Sequence, residues 1–364
     1  MSESTALSGA GVEISDYEGD GADWNRFALE QPEARFCHLA QYSRVVEEAY
    51  AYRPFNLVAR RQGRIVAIWP SCLASSLLLG RRIISQPFSE YGGILAGDLR
   101  DPELEDLVEA MRTRGSAARA TQIEVHGTLG LRESPARSRF EPANPYGCAI
   151  LKLDPDPERL RREVFEHQVR KALQKAARNG VQGFEDHTPE ILRRHFWPLF
   201  LRSMKRLGSP PHPLAYFTGL ARHYPAELKI FWASVGDRPA AALLGFAIGK
   251  RIQITHIASD ERHWDLRVSD LVHWEFIKWG CERGFEEFDF GSVRYEGQQR
   301  FKKKWGAEIR DGGYYLAPIE PGRRVTTFRS SSDALGTAAT IWGKCVPLWL
   351  TPLVGPVIRR HLIR

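Results

Sequence analysis

The sequence predicts an α/β protein built from two related units. Three observations carry that expectation. Apolar residues switch repeatedly between strict alternation and 3.6-residue spacing, the mark of strands interleaved with helices. In each half of the chain, strands joined by short turns precede a helix and a further strand, so the order of elements repeats although no exact sequence repeat does. The length of 364 residues, with 43% hydrophobic and 26% charged content, is that of an ordinary globular chain longer than one domain usually runs.

The elements follow in order. Residues 37–50, CHLAQYSRVVEEAY, place Leu39, Tyr42, Val45, Val46 and Ala49 at helical spacing. Residues 55–74 read as a hairpin, two apolar runs joined by RRQGR, where Gly63 supplies the positive φ of a tight turn. After RRIISQPFSEYGGILAG come a helix from Pro102 to Arg114 and a strand over 121–127. The second half opens with a strand over 146–154 and a long basic helix, DPERLRREVFEHQVRKALQKAARNG, which Gly180 ends. One or two helices follow in ILRRHFWPLFLRSMKRLG, then three strands over 228–260 with turns at VGDRP and GKR. The helix VSDLVHWEFIKWGCERG takes Ser269 as its N-cap, and the strand FEEFDFG and a final helix from about residue 297 close the unit. The chain thus divides into a flexible N-terminus (1–34), a first unit (35–145), a second unit (146–320) and an apolar and basic C-terminal tail (321–364).

Composition narrows the function classes. The excess of 51 Lys and Arg over 44 Asp and Glu, a formal charge of +7, favours anionic partners without marking a nucleic-acid binder. Five cysteines, Cys37, Cys72, Cys148, Cys281 and Cys345, form no C-x-x-C pair, which argues against a disulfide framework or a zinc ribbon and for a reducing cytoplasm. The acidic start, MSESTALSGAGVEISDYEGD, lacks the basic residues and apolar core of a secretory signal. With no H-E-x-x-H and no H-x-E paired with P-C-x-x-C, no metal site is expected.

Chemistry concentrates in residues 288–308, FDFGSVRYEGQQRFKKKWGAE. Alternation along the strand sets Glu287 and Asp289 on one face and Phe288 and Phe290 on the other. Asp289 can orient an amine or accept its proton, or it can bond the turn amides around Gly291; serving as a base requires burial that raises its pKa. On the following helix Phe301 and Trp305 share a core-facing side, with Lys302 and Lys303 flanking it and Lys304 expected in solvent. A lysine ammonium suits a phosphate or the oxyanion of an acyl intermediate.

This segment, the SQPFSEYGG loop at 85–93 and the order of elements resemble the FemAB-like branch of the GNAT acyltransferase superfamily over about residues 35–318. The resemblance implies two tandem GNAT-like modules, each with its own mixed, mostly antiparallel sheet, and transfer of an acyl or aminoacyl group to an amine. It places Asp289, Gly291, Arg294, Phe301, Lys302 and Lys303 beside the substrate channel, with Asp289 and Lys302 as the catalytic pair. It also sets Glu90 and Tyr91 on the first module's side of the acceptor cleft. In THIASDERHWDLRVSD, which joins a strand to a helix N-terminus, His256 and Arg267 are further substrate-binding candidates.

The donor is left open between acyl-CoA and aminoacyl-tRNA. GNAT enzymes that use acetyl-CoA commonly hold its pyrophosphate on a Gln/Arg-x-x-Gly-x-Gly/Ala loop, and the corresponding segment here, DERHWDLRVSD, does not match it. The basic helix over 158–178 offers tRNA a contact, although Glu158, Glu163 and Glu166 interrupt it. The resemblance implies an anionic small-molecule or carrier-linked acceptor, an amine on a sugar, nucleotide-sugar or lipid-linked envelope precursor, and a role in exopolysaccharide systems. A binding or assembly protein that keeps the fold without catalysis is the alternative. Finally, residues 341–357 are 17 nearly apolar positions broken by three prolines and two glycines, followed by Arg359, Arg360 and Arg364. That is too short and broken to span a bilayer; it fits an interfacial anchor on the inner membrane, or packing on the second module.

Overall fold

The computed structural model describes residues 11–76, 80–127, 130–131, 134–185, 188–325 and 332–362. Alternating apolar runs pair into an eleven-stranded sheet and a four-stranded one. From its edge at Val181–Glu185 the large sheet runs through Leu228–Val235, Arg238–Ile248, Arg251–Ser259, Glu287–Val293 and Glu141–Lys152. It continues through Glu308–Pro318, Gln122–His126, Gly80–Ser85 and Cys72–Ser76 to Arg53–Pro54. Among the described residues its joins are antiparallel except two: Arg251–Ser259 with Glu287–Val293, and Gly80–Ser85 with Gln122–His126. Parallel neighbours need a crossover. One helix supplies it in each half, Val268–Glu282 in the second and Asp101–Ala117 in the first, so the internal doubling is that of a βαβ crossover within a meander.

The units do not keep separate sheets, contrary to expectation. Glu308–Pro318, from the end of the second unit, lies between Glu141–Lys152 and Gln122–His126 and joins both halves. An open strand edge is a liability, and the twelve-residue Glu141–Lys152 is long enough to pair on both sides and remove it.

Local physics explains the other departures. The stretch expected to be flexible holds the strand Glu13–Asp16, paired with Leu57–Arg61, and the helix Ala22–Glu30, because Trp24 and Ala28 are fully buried. The long basic helix breaks into Pro157–Glu163 and His167–Arg178 where Phe165 turns into the core and the Glu166 amide donates to the Lys304 carbonyl. A π-type turn over Leu192–Phe196 precedes Pro198, which has no N–H to give an α-helical carbonyl. The helix Val268–Glu282 starts one residue before the expected cap, after Arg267 in the left-handed region at φ 65°.

Among the described residues four apolar clusters form, the smallest of them Tyr146, Cys148, Ile150 and Tyr314. Of the others, one lies between the second half of the sheet and the helices His167–Arg178 and Val268–Glu282, and one beneath Asp101–Ala117. The third is shared, with Phe36 of the first unit stacked on Phe246 of the second at 4.0 Å between ring centres. A shared core fixes the two units against each other, which matters because the site below draws residues from both.

The tail forms helices Ser332–Cys345 and Thr351–Leu362. Its inner side docks: Tyr52 Oη donates to the Arg360 carbonyl, Ser76 Oγ to that of His361, and Trp342 and Thr351 are buried. Trp349 and Leu353, on its outer side, are 71% and 67% exposed. The tail was expected either to pack on the second unit or to expose an apolar face; it packs on both units, Tyr52 and Ser76 of the first and Lys205 and Pro210 of the second, and exposes apolar side chains on the opposite face.

Candidate active site

The parallel pair of the second unit is joined only where Arg251–Gln253 meets Glu287–Asp289, and beyond that the strands part. Irregularities on both strands assist. Thr255 is an extra residue opposite the Leu244/Gly245 step, and the register with Glu141–Lys152 slips between Asp289 and Ser292, where Gly291 takes φ 74°. A side chain there would be strained in the left-handed region, which is what glycine relieves. Between the parted strands, the start of Val268–Glu282 and the helix Glu296–Lys303 lies a cleft of about 580 Å³. That volume is within the range of small-molecule sites, roughly 300–1,000 Å³.

Glu90, Arg267, Gly291, Phe301 and Lys302 line this cleft. Lys302 Nζ donates to the carbonyls of Gly291 at 3.0 Å and Ser292 at 2.7 Å, tying its helix to the strand end. Burial pulls its pKa down from the usual lysine value, and the Glu90 and Asp289 carboxylates work against that shift. Glu90 arrives from the first unit. Its Oε1 accepts from Ser292 Oγ at 3.0 Å, and its backbone carbonyl accepts from Tyr146 Oη at 2.6 Å. The loop reaches across by steep turns, with Gln86, Phe88 and Gly92 all at positive φ. Arg294, expected to bind substrate, does not line the cleft: its guanidinium lies 5.0 Å above the Tyr146 ring and its Nε donates to Ser292 Oγ at 3.3 Å. A carboxylate and an ammonium thus share one wall, each held by hydrogen bonds to fixed atoms.

Asp289 stands behind this wall. It is fully buried and does not line the cleft. Its Oδ2 accepts from Tyr91 Oη at 2.5 Å and its Oδ1 from the Gly291 amide at 2.7 Å, while Arg35 lies 4.6 Å above the Tyr91 ring. Burial raises its pKa, against the pull of Arg35 and of the Tyr91 and Gly291 hydrogen bonds. These bonds pin the Glu90 loop, through Tyr91, to the Gly291 turn. An amide can occupy the same place, so Asp289→Asn should keep turnover within about threefold while Asp289→Ala loses about tenfold, roughly 1.4 kcal/mol. Equal losses in the two variants would return the proton-acceptor role to Asp289.

Two candidates lie elsewhere. The extra residue at Thr255 inverts the alternation, so His256 leaves the cleft and enters a ring cluster with Phe200, His212 and Phe217 at 5.8, 5.3 and 5.0 Å. Burial there pushes its pKa down to about 3, so the ring is neutral at physiological pH. Lys303 is exposed and does not line the cleft, because it follows Lys302 around the helix. Lys304, expected in solvent, instead pairs with buried Asp270 at 2.5 Å and covers the Phe301 ring at 4.2 Å. Sequence reasoning missed Ser292, Asp270, Trp264 and Tyr295, all on the cleft. Only Ser292 carried a signal, directly after the glycine of FDFG. Among the described residues no group of three metal-ligating side chains converges.

Residues 163–303 match the family model described as an acetyltransferase (GNAT) domain. No curated protein matches the sequence. The fold is similar to that of FemX, with a TM-score of 0.65 and 13% identity over 84% of this chain and 96% of that one. A tandem GNAT protein from the clavulanic acid biosynthesis pathway aligns at TM-score 0.52 and 12% identity, covering 86% of this chain and all of the other, 100%. The C-terminal domain of a putative lysylphosphatidylglycerol synthetase from Agrobacterium fabrum aligns at 0.54 and 12%, covering 93% and 95%.

Proposed function

We propose that this chain, whose residues 163–303 match a GNAT-domain model and whose fold is similar to that of FemX, transfers an acyl or aminoacyl group to an amine, with Glu90 as proton acceptor and Lys302 as stabiliser of the oxyanion. The observation that carries this reading is the shared wall of the cleft, where a carboxylate from one unit and an ammonium from the other face the same space. The amine nitrogen attacks the donor carbonyl, forming the C–N bond. Glu90 takes the amine proton, Lys302 faces the developing oxyanion, and as the C–S or C–O bond to the donor breaks Glu90 passes that proton to the leaving sulfur or oxygen. General base catalysis contributes typically 10²–10⁴-fold, and one placed oxyanion donor roughly 3 kcal/mol.

An acyl-CoA donor follows the habit of the GNAT domain, and Arg267 at the helix start supplies a cation for its phosphates. Aminoacyl-tRNA is the other donor; Lys171 and Arg178, exposed on His167–Arg178, are its contacts. The acceptor is an amine on a sugar or carrier-linked envelope precursor, whose ring can stack on Trp264 and Tyr295, 43% and 62% exposed beside the cleft. The test is transfer of a labelled acyl group from a panel of acyl-CoAs and aminoacyl-tRNAs to amino-sugar acceptors, with Glu90→Gln as the blank. A tRNA donor would show steeply salt-dependent binding, an acyl-CoA a shallower slope. Transfer from no donor to any amine would leave the binding or assembly role in its place.

A further inference from the structure

The tail and the rim of the cleft both touch one end of the helix Trp197–Arg206. Beyond that end Leu207 is 58% exposed, and Gly208 packs so closely on Ala339 that a Cβ would lie 2.6 Å from its carbonyl oxygen. Lys205 Nζ donates to the Gly343 carbonyl at 2.6 Å. On the side toward the cleft, the Arg206 guanidinium lies 4.6 Å above the ring of Trp264, which lines the cleft. One helix end therefore carries both the tail and the cleft rim.

The tail beside it exposes Ile341, Trp349, Leu353 and Val357 at 54, 71, 67 and 60%. The last three recur every four residues, so they share one face of Thr351–Leu362 and its lead-in. Monomeric soluble proteins rarely expose contiguous apolar surface of this kind without a partner for it. Its charge names the partner's class. Residues 341–362 contain no Asp or Glu, while Lys344 and Arg360 are exposed. Against a twofold-related copy this face would set cations against like cations. Against an anionic bilayer the rings and aliphatic side chains enter the acyl boundary and the cations meet the head groups. No single described helix is long and apolar enough to cross a membrane; the tail segments Ala339–Cys345 and Leu348–Leu362 reach that measure only as a pair, and they bend by 114° at their break.

We propose that this face docks on an anionic lipid surface and sets the mouth of the cleft beside it, so that the acceptor amine is carried by an amphiphile resident in that bilayer. The clause on the acceptor rests on the acyl-transfer reading; the docking does not.

The experiment is flotation of the full chain with phosphatidylglycerol vesicles and, separately, with phosphatidylcholine vesicles. Wild type should float with the first at least about tenfold more than a Trp349→Ser/Leu353→Ser/Val357→Ser variant, and the second vesicles should hold it less. A Lys344→Glu/Arg360→Glu variant, altered only at exposed positions, should also lose flotation, and it keeps the test decisive if the triple variant does not fold. Neither set touches the cleft, so transfer to a water-soluble acceptor should be unchanged in the variant that folds. Wild type that stays with the soluble fraction overturns the proposal. So does a triple variant that floats as well as wild type, or a dimer in solution that the triple variant dissolves while nothing floats. Absence of acyl transfer with normal flotation would sink the acyl-transfer reading and leave the docking standing.

Discussion

Glu90→Gln should lower the turnover number at least about a hundredfold and leave the melting temperature where it is. The amide is the same size as the carboxylate, and its oxygen can still accept from Ser292 Oγ, so the loop and its anchor at Tyr146 stay in place. What disappears is the capacity to take a proton from the attacking amine, together with a negative charge facing Lys302. If Glu90 only orients a cationic substrate, the loss falls on KM and turnover survives at saturation. Near-normal turnover in the glutamine variant would remove Glu90 as the base. The assay needs both kinetic parameters, because the ratio alone does not separate the two roles.

Trp305→Ala should cost about 3–5 kcal/mol, the largest stability effect expected of a substitution near the site. The indole is fully buried, edge-on to Phe165 at 5.0 Å and within 5.9 and 6.2 Å of His273 and Phe290. Its Nε1 has no hydrogen-bond partner among the described residues, so the loss is one of apolar contact and of the cavity left behind. Those neighbours come from Phe165 between the two basic helices and from Val268–Glu282 and Glu287–Val293, two of the elements that frame the cleft. Trp305→Phe, which keeps part of the ring surface, should cost less. Urea unfolding measures both; a shift below about 1 kcal/mol for the alanine variant would mean the ring does not hold these elements together.

How far the site was legible depends on the range of the contacts. The hairpin around Gly63, the meander over 228–260 and the core-facing Trp305 follow from patterns within a few residues, and the structure holds them where those patterns point. His256 was misplaced because one inserted residue at Thr255 reverses every side chain beyond it, and alternation contains no sign of such a bulge. Lys304 was misplaced because its partner, Asp270, lies in another helix, and a charge in a basic run looks solvated until its counter-ion is known. Glu90 and Gly291 were expected on two sides of one cleft, but the bond between Glu90 and Ser292 was not. The carboxylate's direct bond depends on three positive-φ residues in the loop, and nothing in SQPFSEYGG sets their order.

The placement of Glu308–Pro318 has a consequence for how the protein is made. The strand Gln122–His126 gains its antiparallel neighbour only when residues 314–318 pair with it. A nascent chain therefore carries a nearly complete first half with one bare edge until residues 314–318 have left the ribosome. The length of chain to be waited for is the second unit itself, so the two halves cannot mature in turn. Synthesised alone, residues 35–145 would present the edge Gln122–His126 to any other strand, and self-association rather than a small folded domain is the expected fate of that fragment.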